Sequence, residues 1–222
     1  MSIFRAIRMP LLALMLLGLA PWGAPVSARA ADMPGKVLVE ALQSGGHTIY
    51  FRHSSTDWSQ NDQVRQAGDW KTCDGARMRQ LSDAGRDLAG AIGRAMKALK
   101  VPVGRVISSE YCRSAETAKL FGFGDPETTT DIMNLRSDEH VGGHDAAVAN
   151  ARRVFATPPP DGTNTVVVGH GNLMRAAIGE YTGEAGAVVL RPKADSPTGF
   201  ETVTVLDPKD WQALATAHAP MD

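Results

Sequence analysis

The chain has little of several things. Among its 222 residues only 2 are cysteine and 6% are aromatic, and 23 Lys and Arg stand against 24 Asp and Glu for a formal charge of −1. Two cysteines are too few for a disulfide scaffold. The 22 glycines and 13 prolines follow no period, which excludes a fibrous repeat. No internal repeat of roughly 20 to 50 residues marks a solenoid or propeller. Without an excess of positive charge there is no bulk attraction to phosphate backbones, so no nucleic-acid partner is implied. What remains is the composition of one ordinary globular domain, 43% hydrophobic and 21% charged.

A membrane-spanning run is missing too. The strongly apolar stretch from Met9 to Ala20 is about 12 residues, short of the roughly 20 that cross hydrocarbon. Arg5 and Arg8 precede it, and a small-residue stretch ending Ala28-Arg29-Ala30 follows. That layout is a secretory signal peptide over residues 1–30, with cleavage expected after Ala30 and a retained anchor as the alternative. No Cys lies near the cut, so no lipid anchor is expected. Removing residues 1–30 takes Arg5, Arg8 and Arg29 and no acid, leaving 20 basic against 24 acidic residues, net −4. The expected working domain is residues 31–222, mildly acidic, without a stable membrane anchor, and periplasmic or secreted.

Along that domain, strand-like and helix-like segments alternate. Residues 36–43 suit a short helix closed by Gly45-Gly46. His47–His53 is rich in β-branched and aromatic residues and reads as a strand, and residues 57–80 as a long polar loop. Ser82 can N-cap a helix running to about Lys100, followed by a strand at Arg105–Ser108 and a helix from Tyr111 to Phe121. Asp131–Leu135 reads as a third strand, and Asp145, as N-cap, opens a helix to Ala156 that the prolines at 158–160 terminate. Thr163–Gly169 has consecutive apolar positions, the mark of a strand buried on both faces of a parallel sheet. A helix over residues 172–181, strands at 187–190 and 200–206, and a helix beginning at Pro208 complete the chain. This alternation predicts an α/β sandwich, in which ligands bind beyond the carboxyl ends of the strands.

Three strand ends carry chemistry: Phe51-Arg52-His53-Ser54-Ser55-Thr56, Ser108-Ser109-Glu110-Tyr111-Cys112-Arg113 running on to Glu116-Thr117-Ala118, and Val168-Gly169-His170-Gly171-Asn172. An Arg-His pair or a Gly-His-Gly turn alone usually means surface decoration or a tight corner. Two arginines and two histidines converging from three strand ends would instead make an anion pocket, because guanidinium forks match phosphate oxygens. The positive end of the helix starting near Tyr111 would add to it.

These segments, in this order, resemble the histidine phosphatase superfamily, the group containing cofactor-dependent phosphoglycerate mutases and many phosphatases. Arg52-His53 with Thr56 resembles its Arg-His-Gly-x-Thr opening, and Ser108-Ser109 through Arg113 and Thr117-Ala118 its Ser-Ser-x-x-x-Arg-x-x-x-Thr-Ala segment. Val168-Gly169-His170-Gly171 resembles its second-histidine motif, and Gln80–Arg86 its Leu-Ser/Thr-x-x-Gly helix start. The resemblance covers most of residues 47–207 and is nearest to small secreted bacterial members. It implies a three-layer α/β/α sandwich with a mostly parallel central sheet, phosphoglycerate mutase-like, acting on a small phosphorylated substrate without a cofactor. His53 would then attack phosphorus and form a phosphohistidine, while Arg52, Arg113 and His170 hold the nonbridging oxygens. Thr56 would bond phosphate or cap the turn. Thr117, one turn after Arg113, would brace it or, as favoured, pack.

Departures from that pattern sharpen the expectations. Ser54 stands where the family usually has Gly, so a Cβ lies where the backbone could approach phosphate. Glu139 is the first candidate for the acid that protonates the leaving group and Asp138 the second, with a solvated acidic loop as the alternative. Cys73 and Cys112 are expected to form an intramolecular disulfide in an oxidising compartment, pinning the 57–80 loop beside Arg113; two unlinked thiols are the alternative. His47, His140 and His144 lack the tight spacing of metal ligands, so no metal is expected. The rival functions are a phosphomutase and a non-catalytic anion-binding module.

Overall fold

The computed structural model describes residues 35–220, so the signal peptide and cleavage site read at residues 1–30 lie outside the described residues. The elements are helices α1 (Gly35–Ser44), α2 (Asp83–Ala98), α3 (Cys112–Leu120), α4 (His144–Ala156), α5 (Gly171–Ile178) and α6 (Pro208–His218). They alternate with strands β1 (Thr48–Arg52), β2 (Val103–Ser109), β3 (Glu127–Thr129), β4 (Asn164–Gly169), β5 (Ala187–Pro192) and β6 (Phe200–Leu206). The strands form one six-stranded sheet in the order β3-β2-β4-β1-β5-β6. Strands β1 to β4 pair parallel, and β5 runs antiparallel to both β1 and β6.

Side chains of successive strand residues point to opposite faces, and the central strands are apolar on both. On one face Ile49, Phe51, Val166, Val168 and Val189 pack under α1, α2 and α6, through Leu42, Ile92, Met96 and Trp211. On the other, Tyr50, Val167, Val188 and Leu190 meet Ala151 and Phe155 of α4 and Leu173 and Met174 of α5. The result is the expected three-layer α/β/α sandwich with a mostly parallel sheet. Helix starts follow local chemistry: the Ser82 hydroxyl accepts from the Gly85 N–H at α2, and Asp207 with Asp210 forms a capping box around Pro208 at α6.

Two expectations are corrected. Residues 131–135 are not a strand: 3-10 turns occupy Thr130–Ile132 and Leu135–Val141, and the third strand is the short Glu127–Thr129 just before them. The apolar residues Ile132 and Met133 that suggested a strand are fully buried beneath the neighbouring helices and the loop. The true strand sits on the sheet edge with polar, largely exposed residues, so it carried no apolar signal. Helix α4 begins at His144 with Gly143 as its cap; Asp145 lies inside the first turn, where a carboxylate still favours the helix dipole.

Register aligns the strand ends that matter. Arg52 at the end of β1 pairs with Gly169 at the end of β4, and Ser108 of β2 pairs with Val168. Three adjacent strands therefore finish side by side, delivering residues 53, 109 and 170 to one edge.

Candidate active site

His53 follows β1 directly, and its backbone is held from two sides: its N–H donates to the Gly169 carbonyl (2.9 Å) and its carbonyl accepts from the Ala185 N–H (3.0 Å). The side chain is 3% exposed. Its Nδ1 lies 2.9 Å from the Ser54 carbonyl, an acceptor only, so Nδ1 carries the proton and Nε2 keeps a lone pair. The rings of His53 and His170 are 5.6 Å apart between centroids, nearly perpendicular.

His170 caps α5 and is fixed at every polar atom. The Tyr50 hydroxyl accepts from its backbone N–H (2.8 Å) and donates to its carbonyl (3.0 Å). The Asn134 carboxamide oxygen accepts from the Arg136 N–H and from Asn172, so its amide nitrogen must donate to Nδ1 of His170 (3.2 Å). Nε2 of His170 then carries the hydrogen and donates to Ser109 Oγ (2.9 Å). One imidazole is thus arranged as a nucleophile and the other as a donor. Burial comes first in pushing the pKa of both well below the ordinary imidazole value; the positive charges of Arg113, Arg52 and Arg79 add to it, and the Ser54 carbonyl opposes it at His53.

Arg113 sits in the first turn of α3 and is 1% exposed. Asp62 of the 57–80 loop holds it end-on, accepting from Nη1 (2.9 Å) and Nη2 (3.0 Å), and the Arg79 carbonyl accepts a further bond from Nη1 (3.2 Å). Its guanidinium also lies over the Tyr111 ring. Arg52 reaches the segment between α5 and β5, where Nη1 donates to the Tyr181 hydroxyl and the Thr182 carbonyl. The bare Gly171 makes room for it, since a Cβ there would press on Cδ and Nε of Arg52.

Three further donors decide the character of the pocket. The Nε–H groups of Arg52, Arg79 and Arg113 are all buried and have no hydrogen-bond partner among the described residues. An unmet buried donor costs about 1–3 kcal/mol, more on a charged group, and here three fall on the arginines whose charge bears on the two histidines. Helices α3 and α5 both begin at this site without a side-chain cap, adding their positive ends. The arrangement suits an oxyanion with several charged oxygens.

The structure brings together Arg52, His53, Arg113 and His170 from the sequence expectations. Thr56 is adjacent, but its hydroxyl and N–H both donate to Glu184 (2.7 and 3.3 Å). Thr117 does more than pack: its hydroxyl donates to the Arg113 carbonyl (2.7 Å) and accepts from the Ser54 N–H (3.0 Å), tying the arginine's helix to the turn after His53. The Ser54 hydroxyl is turned toward α2, donating to the Gly85 carbonyl (2.7 Å). Gly85 is required there, because any Cβ would overlap the Ser55 carbonyl. Glu139 lies at the surface, its side chain 77% exposed beside His140, and Asp138 stands 3.6 Å from His144; neither contacts the two central histidines. Cys73 and Cys112 are joined in a disulfide, with Cα atoms 5.4 Å apart. A separate cavity of about 620 Å³ borders it, lined by Lys71, Glu110, Glu116 and Lys119 among others, and includes neither histidine.

Asp62, Arg79 and Glu184, with the supports Tyr50 and Asn134, join the site without having been expected from sequence, while Ser109 was expected as part of its motif but with no role of its own. Arg79 had a usable signal, since it immediately precedes the Gln80–Arg86 motif that lies between two pocket segments. Asp62 and Glu184 had none, being single acids in polar loops.

No protein-family model and no curated protein matches the chain. Its similarities are to solved structures. A tungstate complex of the protein histidine phosphatase SixA is 14% identical, covering 74% of this chain and 98% of its own, with a TM-score of 0.49. The mycobacterial glucosyl-3-phosphoglycerate phosphatase is 18% identical over 71% of this chain and 96% of its own, at 0.47. A phosphoserine phosphatase from Entamoeba histolytica, bound to 3-phosphoglyceric acid, is 13% identical over 72% and 96%, at 0.49.

Proposed function

We propose that this chain is a histidine-type phosphatase that hydrolyses a phosphomonoester or related phosphoryl group on a small substrate through a phosphohistidine at His53. The observation that carries this reading is the pairing of a buried, neutral His53, its Nε2 lone pair free, with three arginines whose Nε donors are unmet. The motif resemblance to histidine phosphatases agrees with it. Arg52, Arg79 and Arg113 hold the nonbridging oxygens, and the Nε2–H of His170 exchanges Ser109 Oγ for one of them, stabilising the charge that spreads over them as the phosphoryl group transfers. In the first step the Nε2–P bond forms as the bond to the leaving oxygen breaks. In the second, water attacks phosphorus and releases inorganic phosphate and neutral His53.

We further propose that the protein works after export, once residues 1–30 are removed, with the disulfide holding the 57–80 loop over the site. Among the described residues no helix is long and apolar enough to cross a membrane. The test is hydrolysis of p-nitrophenyl phosphate by the purified domain in the presence of a chelator. Turnover is expected, and His53→Ala is expected to abolish it; undiminished turnover in that variant would refute the nucleophile.

A further inference from the structure

The leaving oxygen needs a proton unless it is a stable anion, and the acids expected from sequence stand away from the histidines. Two other carboxylates are half-buried at the arginines. Asp62 is committed: both its oxygens accept from Arg113, one of them also from the Arg79 N–H, which leaves it fixed as a counter-ion. Glu184 is placed differently. It lies on the segment joining α5 to β5, with its side chain 13% exposed, and Oε1 is 3.8 Å from Nη2 of Arg52, too long for a hydrogen bond. Its charge is felt by Arg79, and among the described residues Thr56 alone donates hydrogen bonds to it. Thr56 comes three residues after His53 and fixes the carboxyl at the edge of the arginine cluster without using up its acceptor capacity.

We infer that Glu184 is the general acid and base of the reaction, held in position by Thr56. This rests on the phosphatase reading above. A phosphate group bound on Arg52 and Arg79 brings negative charge beside Glu184, and like charge favours the protonated carboxyl. As the Nε2–P bond forms and the P–O bond breaks, the Glu184 proton passes to the leaving oxygen, giving a neutral alcohol and a Glu184 carboxylate. In the second step that carboxylate takes a proton from the attacking water while the N–P bond breaks. Inorganic phosphate departs, and protonated Glu184 and neutral His53 are restored.

The test compares two leaving groups in Glu184→Gln. Turnover of ethyl phosphate, whose alkoxide must be protonated, should fall by about 100-fold or more, as for loss of a general acid. Formation of the phosphoenzyme from p-nitrophenyl phosphate, whose phenolate leaves unaided, should change by less than about 10-fold. Equal losses on both substrates, or none on either, would overturn the assignment, as would the same selectivity in Glu139→Gln with none in Glu184→Gln. Should Glu184→Gln fail to fold, Glu184→Asp carries the same comparison, because withdrawing the carboxyl by one methylene should slow ethyl phosphate selectively. A p-nitrophenyl phosphate burst that survives in Glu184→Gln and vanishes in His53→Ala keeps the phosphatase reading standing whichever way the acid assignment falls.

Discussion

Replacing Asp62 by Asn tests the electrostatic design of the pocket. The substitution keeps the side chain's shape and removes the negative charge that neutralises Arg113. That guanidinium is 1% exposed and donates three hydrogen bonds to the 57–80 loop, two of them to Asp62. Removing one partner of a buried ion pair costs about 3–5 kcal/mol, since the other charge stays buried without compensation. Asp62 keeps 15% of its side chain exposed and Asn can still accept one bond, so the low end applies, about 3 kcal/mol. For a domain of this size that is a fall in Tm of roughly 6–12 °C, measured by calorimetry or circular dichroism. The anion response should move the opposite way. With Asp62 gone, inorganic phosphate becomes the counter-ion of Arg113, so saturating phosphate should raise the Tm of the variant by more than that of the parent protein. A double-mutant cycle with Arg113→Met would isolate the coupling of the pair. An unchanged Tm together with an unchanged phosphate increment would show that Asp62 does not neutralise Arg113.

Other consequences follow from burial and covalent structure. The His53 pKa lies well below the ordinary imidazole value, so the nucleophile stays neutral into mildly acidic solution. The acid limb of kcat/KM for p-nitrophenyl phosphate should therefore fall below about pH 6.5, and Arg79→Gln, which removes one of the charges opposing protonation, should move it upward. The same shifts bear on stability. Below about pH 6.5 the unfolded chain binds protons that folded His53 and His170 refuse, so acidification should lower unfolding free energy by roughly 1.4 kcal/mol per pH unit for each imidazole, read from urea midpoints across that range. The disulfide closes a 39-residue separation, which constrains the unfolded chain by about 4 kcal/mol in the chain-entropy account. Reduction should lower the urea midpoint and cut turnover, because Asp62 and Arg79 both lie on the released loop; full activity in the reduced protein would contradict that link.

Much of the fold was legible because the sheet is buried on both faces. Thr163–Gly169 announces itself by consecutive apolar residues and His47–His53 by its β-branched and aromatic content, and Ser82 and Pro208 mark helix starts through local chemistry that needs no tertiary context. The third strand was not legible, since Glu127–Thr129 is three polar residues recruited to the sheet edge by pairing with β2. The positions of His53, Arg113 and His170 could be read because each follows a recognisable strand. The carboxylates could not. Asp62 reaches Arg113 across 51 positions of chain and Glu184 reaches Thr56 across 128, through loops whose sequence carries no periodicity. Thr117 shows the same limit at shorter range: its spacing from Arg113 was visible, but the bond it accepts from Ser54 depends on how α3 meets the end of β1.

A covalent phosphohistidine at His53 can be trapped during turnover. Protein mixed with phosphorus-radiolabelled p-nitrophenyl phosphate should be quenched in denaturant on the millisecond scale and the label followed through acid and base. Label is expected on the peptide containing His53, lost in acid and kept in base, and absent from His53→Ala. Rapid turnover without label, or label that survives acid or persists in His53→Ala, would contradict it.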